Sequence, residues 1–189
     1  MTTVTGSTVR LARASDEVEI IGLLKLMHAE NGWRPLDVDY ARLTFARAWE
    51  RKGGIMAVIG APGHIRAMLY LMITNEWYTR ENHLQELFCW VHPDHRNSDY
   101  AKTLINYAKK CSDDISASAG HKIPLIMGVL TNKRMAAKVR LYRRVFGGLP
   151  VGAIFMHNAD WVDRSELSNE DVWRVPSMRR LLLEKATRT

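Results

Sequence analysis

Apolar positions recur along the chain with two periods, close to two residues and close to three and a half, and their alternation outlines an α/β fold. Residues 8–12 alternate like a short strand, and Ser15 or Asp16 can cap a helix that carries Ile20, Leu23, Leu24 and Met27. A second helix follows Pro35, started by Asp37 or Asp39, with Tyr40, Leu43, Phe45 and Trp49 as its apolar positions and Gly53-Gly54 as its end. Residues 55–59 and 65–74 read as two strands of a hairpin with Ala61-Pro62-Gly63 at the turn. A polar loop carrying Trp77 and Tyr78 spans residues 75–82.

Residues 86–110, ELFCWVHPDHRNSDYAKTLINYAKK, carry the most information, reading as a buried strand, a tight turn and a long amphipathic helix in succession. Strict alternation puts Leu87, Cys89 and Val91 on one strand face and Glu86, Phe88 and Trp90 on the other, so Glu86 stands out in an otherwise apolar run. Pro93 stops the strand, and Arg96, Asn97 and Ser98 lead into a helix with Leu104, Ile105, Ala108, Cys111 and Ile115 on one stripe. Free backbone N–H groups and an arginine therefore converge at a helix start, a setting that suits phosphate. The same residues also describe a well-started helix with no ligand, since Ser98 caps well and the macrodipole favours Asp99 in a first turn.

Beyond Gly120, residues 123–130 are strand-like, Thr131 or Asn132 begins a basic helix that Gly147-Gly148 ends, and residues 151–156 form another strand. Residues 177–185 read as helical. The order β, α, α, β, β, β, α, β, α, β calls for one α/β (α+β) domain over residues 1–189 with a mixed sheet, residues 158–189 forming a C-terminal extension.

Composition narrows the class. The chain has 189 residues, 47% hydrophobic and 25% charged, enough for one core and ordinary for a globular protein. No apolar run reaches a membrane span, and MTTVTGSTVR lacks the basic start and apolar stretch of a secretory signal, so a cytoplasmic protein is expected. Two cysteines, Cys89 and Cys111, make neither a disulfide framework nor a zinc site, and the pair His92 and His95 spans a proline turn without a third ligand, so no metal is expected. The net charge of +7 favours anionic partners, coenzyme A and nucleic acid alike. Much of the excess lies in the 133–144 helix, with Lys133, Arg134, Lys138, Arg140, Arg143 and Arg144, which reads equally well as a solvated basic face.

The 86–110 segment resembles the acyl-coenzyme A motif of the GNAT acetyltransferase superfamily. There a strand is followed by Arg or Gln, two variable residues, Gly, one variable residue, and Gly or Ala, and the following helix receives the pyrophosphate. Here the run is Arg96-Asn97-Ser98-Asp99-Tyr100-Ala101, matching at its first and last positions, with Asp99 in place of glycine. A second landmark is similar: Asn132 near a helix start, then Leu141-Tyr142-Arg143-Arg144-Val145-Phe146-Gly147, where the family's Gly-Phe is inverted. The resemblance extends over residues 9–157. It implies a mostly antiparallel mixed sheet flanked by helices and acetyl-CoA as acyl-donor cosubstrate.

For such a chain the resemblance implies that backbone N–H groups of Arg96, Asn97, Ser98, Asp99, Tyr100 and Ala101 hold the pyrophosphate, with charge from Arg96 and Lys102, and that Asn132 lies at the cofactor. It also implies a backbone N–H near Trp90 or Val91 that polarises the thioester carbonyl where strands splay. Glu86 is the candidate general base, and burial in an apolar strand would raise its proton affinity; Tyr142 is the candidate acid for the departing thiolate. His83, His92 and His95 are alternative proton carriers, expected at the surface. Cys89 reads as core, which favours direct transfer in a ternary complex to a primary amine.

The string VHPDHRNSDYAK is similar to divergent members carried by phages and prophages, among them the Mom type that modifies adenine in DNA. Trp77, Tyr78 and the basic 133–144 helix would serve such a nucleic-acid substrate. A non-catalytic module of the same descent, binding coenzyme A, protein or nucleic acid, is the other class. Leu181-Leu182-Leu183 offers an apolar stretch for its own domain or for a homo-oligomer. The acceptor pocket falls to residues 33–39, the 75–82 loop and the C-terminal segment, which carry no motif.

Overall fold

The structure, a computed structural model, describes residues 8–129, 131 and 134–147. Contacts divide the chain into two units, residues 1–128 and 129–189. In the first, the elements run β1 (Val9–Leu11), α1 (Glu17–Asn31), α2 (Val38–Trp49), β2 (Gly54–Ile59), β3 (Ala67–Asn75), β4 (Asn82–Val91), α3 (Tyr100–Ala119) and β5 (Leu125–Ile126). The strands form one sheet in the order β1-β2-β3-β4-β5, antiparallel throughout except that β5 runs parallel to β4. A parallel neighbour needs a long crossover, and α3 supplies it.

Each sheet face is covered. Ile20, Leu24 and Phe45 from α1 and α2 pack with Met56, Val58, Met68, Tyr70 and Trp90. On the other face Leu104 and Ala108 of α3 pack with Ala57, Ile59, Leu69, Leu71, Leu84 and Ile123. With apolar residues on both faces, β2 and β3 read as nearly continuous hydrophobic runs rather than alternating ones.

The expected elements are present through β5, with four differences. Asp37 caps α2 by accepting the Tyr40 N–H at 2.9 Å, but neither Ser15 nor Asp16 caps α1. A 3-10 turn, Ala14–Asp16, precedes it, and the Asp16 carboxylate accepts instead from Arg10 and from the Arg13 N–H. The β3–β4 loop is shorter than expected, because Asn75 and Asn82 pair with each other at the end of the ladder. The expected 123–130 strand contributes only Leu125 and Ile126 to the sheet. Ile123 bonds to α3 instead, its N–H to Ser116 Oγ and its carbonyl to Ser112 Oγ, while residue 130 lies outside the described residues.

The fourth difference is a bulge. Leu71 pairs with Glu86 while its neighbour Tyr70 pairs with Phe88, which leaves Leu87 as the extra residue of β4. Cross-strand partners share a face, so Glu86 shares the α3 face with Leu71 and Leu84, and not the face of Phe88 and Trp90 that strict alternation assigns it. The extra residue inverts the parity of every position on one side of it.

The β2–β3 turn closes with the His64 N–H on Ala61 O at 3.0 Å. Gly60 precedes it with φ of +125°, where an added Cβ would meet His64 O at 2.2 Å, so glycine is required there. Glu19 of α1 accepts the Gly63 and Ile65 N–H groups and fastens this turn to the helix layer.

In the second unit the described element is α4 (Met135–Phe146), which begins later than Thr131 or Asn132, after Arg134 at φ of +57°. Asn132, Lys133, the expected 151–156 strand, the 177–185 helix and Leu181-Leu182-Leu183 lie outside the described residues.

Candidate active site

The junction of β4 with α3 gathers most of the expected site. After Val91 the chain turns through Pro93–His95, where the Asp94 N–H is accepted by His92 Nδ1 at 3.3 Å. The Arg96 and Ser98 N–H groups close on Pro93 O and His95 O, and Ser98 Oγ accepts the Tyr100 N–H at 3.3 Å. Four N–H groups at the start of α3, those of Asn97, Asp99, Ala101 and Lys102, take no hydrogen bond among the described residues. They are the orphan donors of a helix start, and the macrodipole adds partial positive charge to them. Of the six backbone donors expected from the sequence, Asn97, Asp99 and Ala101 are thus open, while those of Arg96, Ser98 and Tyr100 are already used.

Asp99 occupies the N-cap position with φ of −82°, and its side chain makes no capping bond. The backbone there needs no left-handed conformation, so replacing glycine adds a Cβ and an exposed carboxylate without straining the turn. Lys102 is exposed on the first turn of the helix. Tyr100 is half-buried, and its hydroxyl accepts from Arg66 Nη1 at 3.2 Å.

Backbone geometry separates Trp90 from Val91. The Leu84 N–H goes to Pro124 O on the β5 side, and the His92 N–H to Arg66 O on the β3 side. Alternation back from His92 aims the Trp90 N–H at β3 and the Val91 N–H toward the β5 side, where the ladder ends at Gln85 and Ile126 among the described residues. Val91 is therefore the better placed of the two donors. The Trp90 side chain is buried in the α1/α2 layer, its indole N–H donating to Glu30 at 3.0 Å.

Glu86 stands where β4 and β5 begin to part. It is half-buried, and its Oε2 accepts the Gly128 N–H at 3.0 Å, just past the end of β5. His83, expected at the surface, is buried at 6% exposure, its ring bonded to Gln85 Oε1; His92 and His95 border the turn, their rings 5.9 Å apart. Cys89 and Cys111 are half-buried and form no disulfide with each other, and burial pushes the Cys111 thiol up, which keeps it protonated at neutral pH. Tyr107 beside it is pushed up to about 12, mainly by burial. Cys89, Tyr107 and Cys111 pack against the core on the α3 face of the sheet.

In the second unit Tyr142 stacks on Phe146, ring centroids 6.2 Å apart, and Lys138 donates to Thr131 Oγ1 at 2.9 Å. Helical spacing puts Lys138 and Tyr142 on one side of α4 and Arg140, Arg143 and Arg144 on another, so the basic residues do not form one surface.

Sequence reasoning missed Glu30 and Gly128. Both act over long sequence separations, Glu30 on Arg96 and Gly128 on Glu86, and no local pattern announces either. Among the described residues no group of three or more His, Cys, Asp or Glu side chains could hold a metal ion, and no helix is long and apolar enough to cross a membrane.

These features are those of an acetyltransferase fold. The chain belongs to the acetyltransferase (GNAT) family, whose model matches residues 18–147. No curated protein matches the sequence. Among solved structures, the chain is similar to ribosomal-protein-alanine N-acetyltransferase from Brucella melitensis biovar Abortus 2308, at 17% identity and a TM-score of 0.55, covering 79% of this chain and 97% of that one. An aminoglycoside 6'-N-acetyltransferase from Acinetobacter haemolyticus aligns at 14% identity and a TM-score of 0.57, covering 82% and 99%. A predicted acetyltransferase from Clostridium acetobutylicum with acetyl-CoA aligns at 15% and 0.54, covering 82% and 94%. At these identities the likeness is one of fold, and the mixed five-stranded sheet flanked by helices is the GNAT arrangement.

Proposed function

We propose that this chain is an acetyl-CoA-dependent N-acetyltransferase that moves the acetyl group to a primary amine by direct transfer in a ternary complex. The observation that carries the reading is the row of open N–H groups of Asn97, Asp99, Ala101 and Lys102, which follows the Pro93–His95 turn at the end of β4. Those donors fit a pyrophosphate, and the Val91 N–H fits the thioester oxygen, where charge develops as the amine attacks. The new C–N bond forms as the C–S bond breaks. Glu86 takes the proton that the amine sheds, directly or through a water, and Tyr142 gives a proton to the departing thiolate. Asn132 completes the cofactor contacts in this reading.

The neighbours act on acceptors as different as a ribosomal protein's alanine and an aminoglycoside, so fold alone does not select one. A second reading has its own observation. Trp77 and Tyr78 on the β3–β4 loop are 92% and 70% exposed, their rings edge to face with centroids 5.5 Å apart. An exposed aromatic pair on a chain of net charge +7 suits stacking with a nucleobase, as a GNAT-like enzyme of the phage Mom type would need.

Release of free coenzyme A thiol, with mass analysis of the product, separates the two. Turnover on small amines or peptide N-termini supports N-acetyl transfer, whereas turnover confined to DNA, lost in Trp77→Ala, would replace it with the nucleobase reading. Binding of acetyl-CoA without thiol release on any acceptor would leave a non-catalytic module.

A further inference from the structure

Arg96 does not stand free at the cofactor turn. Its Nη2 contacts both carboxylate oxygens of Glu30, at 2.6 and 2.5 Å, and its Nε donates to Val91 O at 3.4 Å. Glu30 also accepts the Trp90 indole N–H. Both charged side chains are about three-quarters shielded, 26% and 22% exposed, so salt screens the pair less than a surface pair. Glu30 lies in the last turn of α1, and the neighbouring His28 ring bonds Arg34 O at 2.6 Å, so this turn of helix is itself held in place.

We propose that Glu30 is a positioning residue for the coenzyme A site, acting through Arg96. With Nε and Nη2 committed, the guanidinium is locked against the end of β4, and Nη1 is left as its nitrogen without a partner among the described residues. An arginine so held enters the complex with its rotamer already chosen, and the turn it belongs to is pinned between β4 and α1 before the ligand arrives. The proposal rests on the coenzyme A reading above and adds to it a residue from the helix layer on the opposite sheet face from α3.

The sign of the effect makes the proposal testable. Glu30 is an anion near a site for anions, so if it merely competed with pyrophosphate for Arg96, its removal would tighten binding. If it positions Arg96, removal loosens binding despite the lost repulsion. Calorimetric titration with acetyl-CoA is the measurement, on wild type, Glu30→Gln, Arg96→Gln and the double variant. Glutamine keeps an acceptor for the Trp90 indole and removes the charge. The expected result is a Kd raised about tenfold in Glu30→Gln, which equals ~1.4 kcal/mol, with stoichiometry still one per chain. The double variant is expected to bind no more weakly than Arg96→Gln alone. A role confined to folding would lower the stoichiometry and leave Kd as it is, overturning the proposal. Unchanged or tighter binding by Glu30→Gln also overturns it while the coenzyme A reading stands. Failure of the wild type to bind would remove that reading and the proposal together.

Discussion

Glu86→Gln is expected to lower kcat for acetyl transfer about 100-fold while leaving the affinity for acetyl-CoA unchanged. Glutamine has the shape of glutamate and keeps a carbonyl oxygen that can accept the Gly128 N–H, so the contact between β4 and the end of β5 survives. What it loses is a basic oxygen able to take the amine proton, and a positioned base contributes roughly 10²- to 10⁴-fold. The lower end is expected because water near the open strand end can take over part of the work. Steady-state kinetics on the best amine acceptor, with calorimetry as the binding control, reads both halves. A variant with wild-type kcat would remove Glu86 from the mechanism, and one that no longer binds acetyl-CoA would give it a structural role instead.

The largest expected effect on stability lies far from that site. The Asp16 carboxylate is fully buried and takes three donors: Arg10 Nη1 at 2.7 Å, Arg10 Nη2 at 2.9 Å and the Arg13 N–H at 2.8 Å. Arg10 in turn donates through Nε to Gly60 O, so one ion pair joins β1, the turn before α1 and the β2–β3 turn. Asp16→Asn replaces an acceptor by an amide donor facing a guanidinium, leaving the partly buried cation uncompensated. The expected loss is about 3 kcal/mol, the low end for breaking a buried pair because Arg10 retains some solvent. At two to four degrees per kcal/mol, that is a fall in Tm of roughly 9 °C.

The same pair sets an acid limit. The hydrogen bonds from Arg10, chiefly, hold the Asp16 carboxyl below its ordinary range, against the opposing effect of burial. A folded pKa below the unfolded one means that the unfolded chain binds the proton more readily. The stabilisation is therefore complete above the unfolded value, near 3.8, and is lost as pH falls through the lower folded one. Thermal unfolding followed between about pH 2 and pH 6 should show a steeper acid limb in the wild type than in Asp16→Asn. Parallel limbs would mean that other carboxylates govern the acid transition.

The fold was legible in the sequence wherever one short segment decides its own structure. The helical spacing of Ile20, Leu23 and Leu24, the cap at Asp37, the Pro93 stop and the stripe from Leu104 to Ala108 each act over one or two turns, and the elements stand where these signals put them. What was not legible depends on partners distant in sequence. Alternation put Glu86 with Phe88 because nothing in β4 reveals that Leu87 is an extra residue; that follows from pairing with Leu71 and Tyr70. Residues 123–130 look like a full strand by hydropathy, yet Ile123 spends its backbone groups on serines of α3. The N-cap role expected of Asp16 was lost to Arg10, a stronger partner than a backbone N–H. At the site, the helix start with its open N–H groups could be read from the 96–102 residues, while the pairing of Arg96 with Glu30, 66 positions away, could not.

The central claim is that the open N–H groups at the start of α3 form a working coenzyme A site despite Asp99. Calorimetric titration of the wild-type protein with acetyl-CoA tests it most directly. Saturable binding of one molecule per chain, weakened in Asn97→Pro, which removes one of the open N–H groups, is the result expected. No heat of binding at millimolar acetyl-CoA would contradict the account, and would show that the carboxylate of Asp99 has closed the site to phosphate.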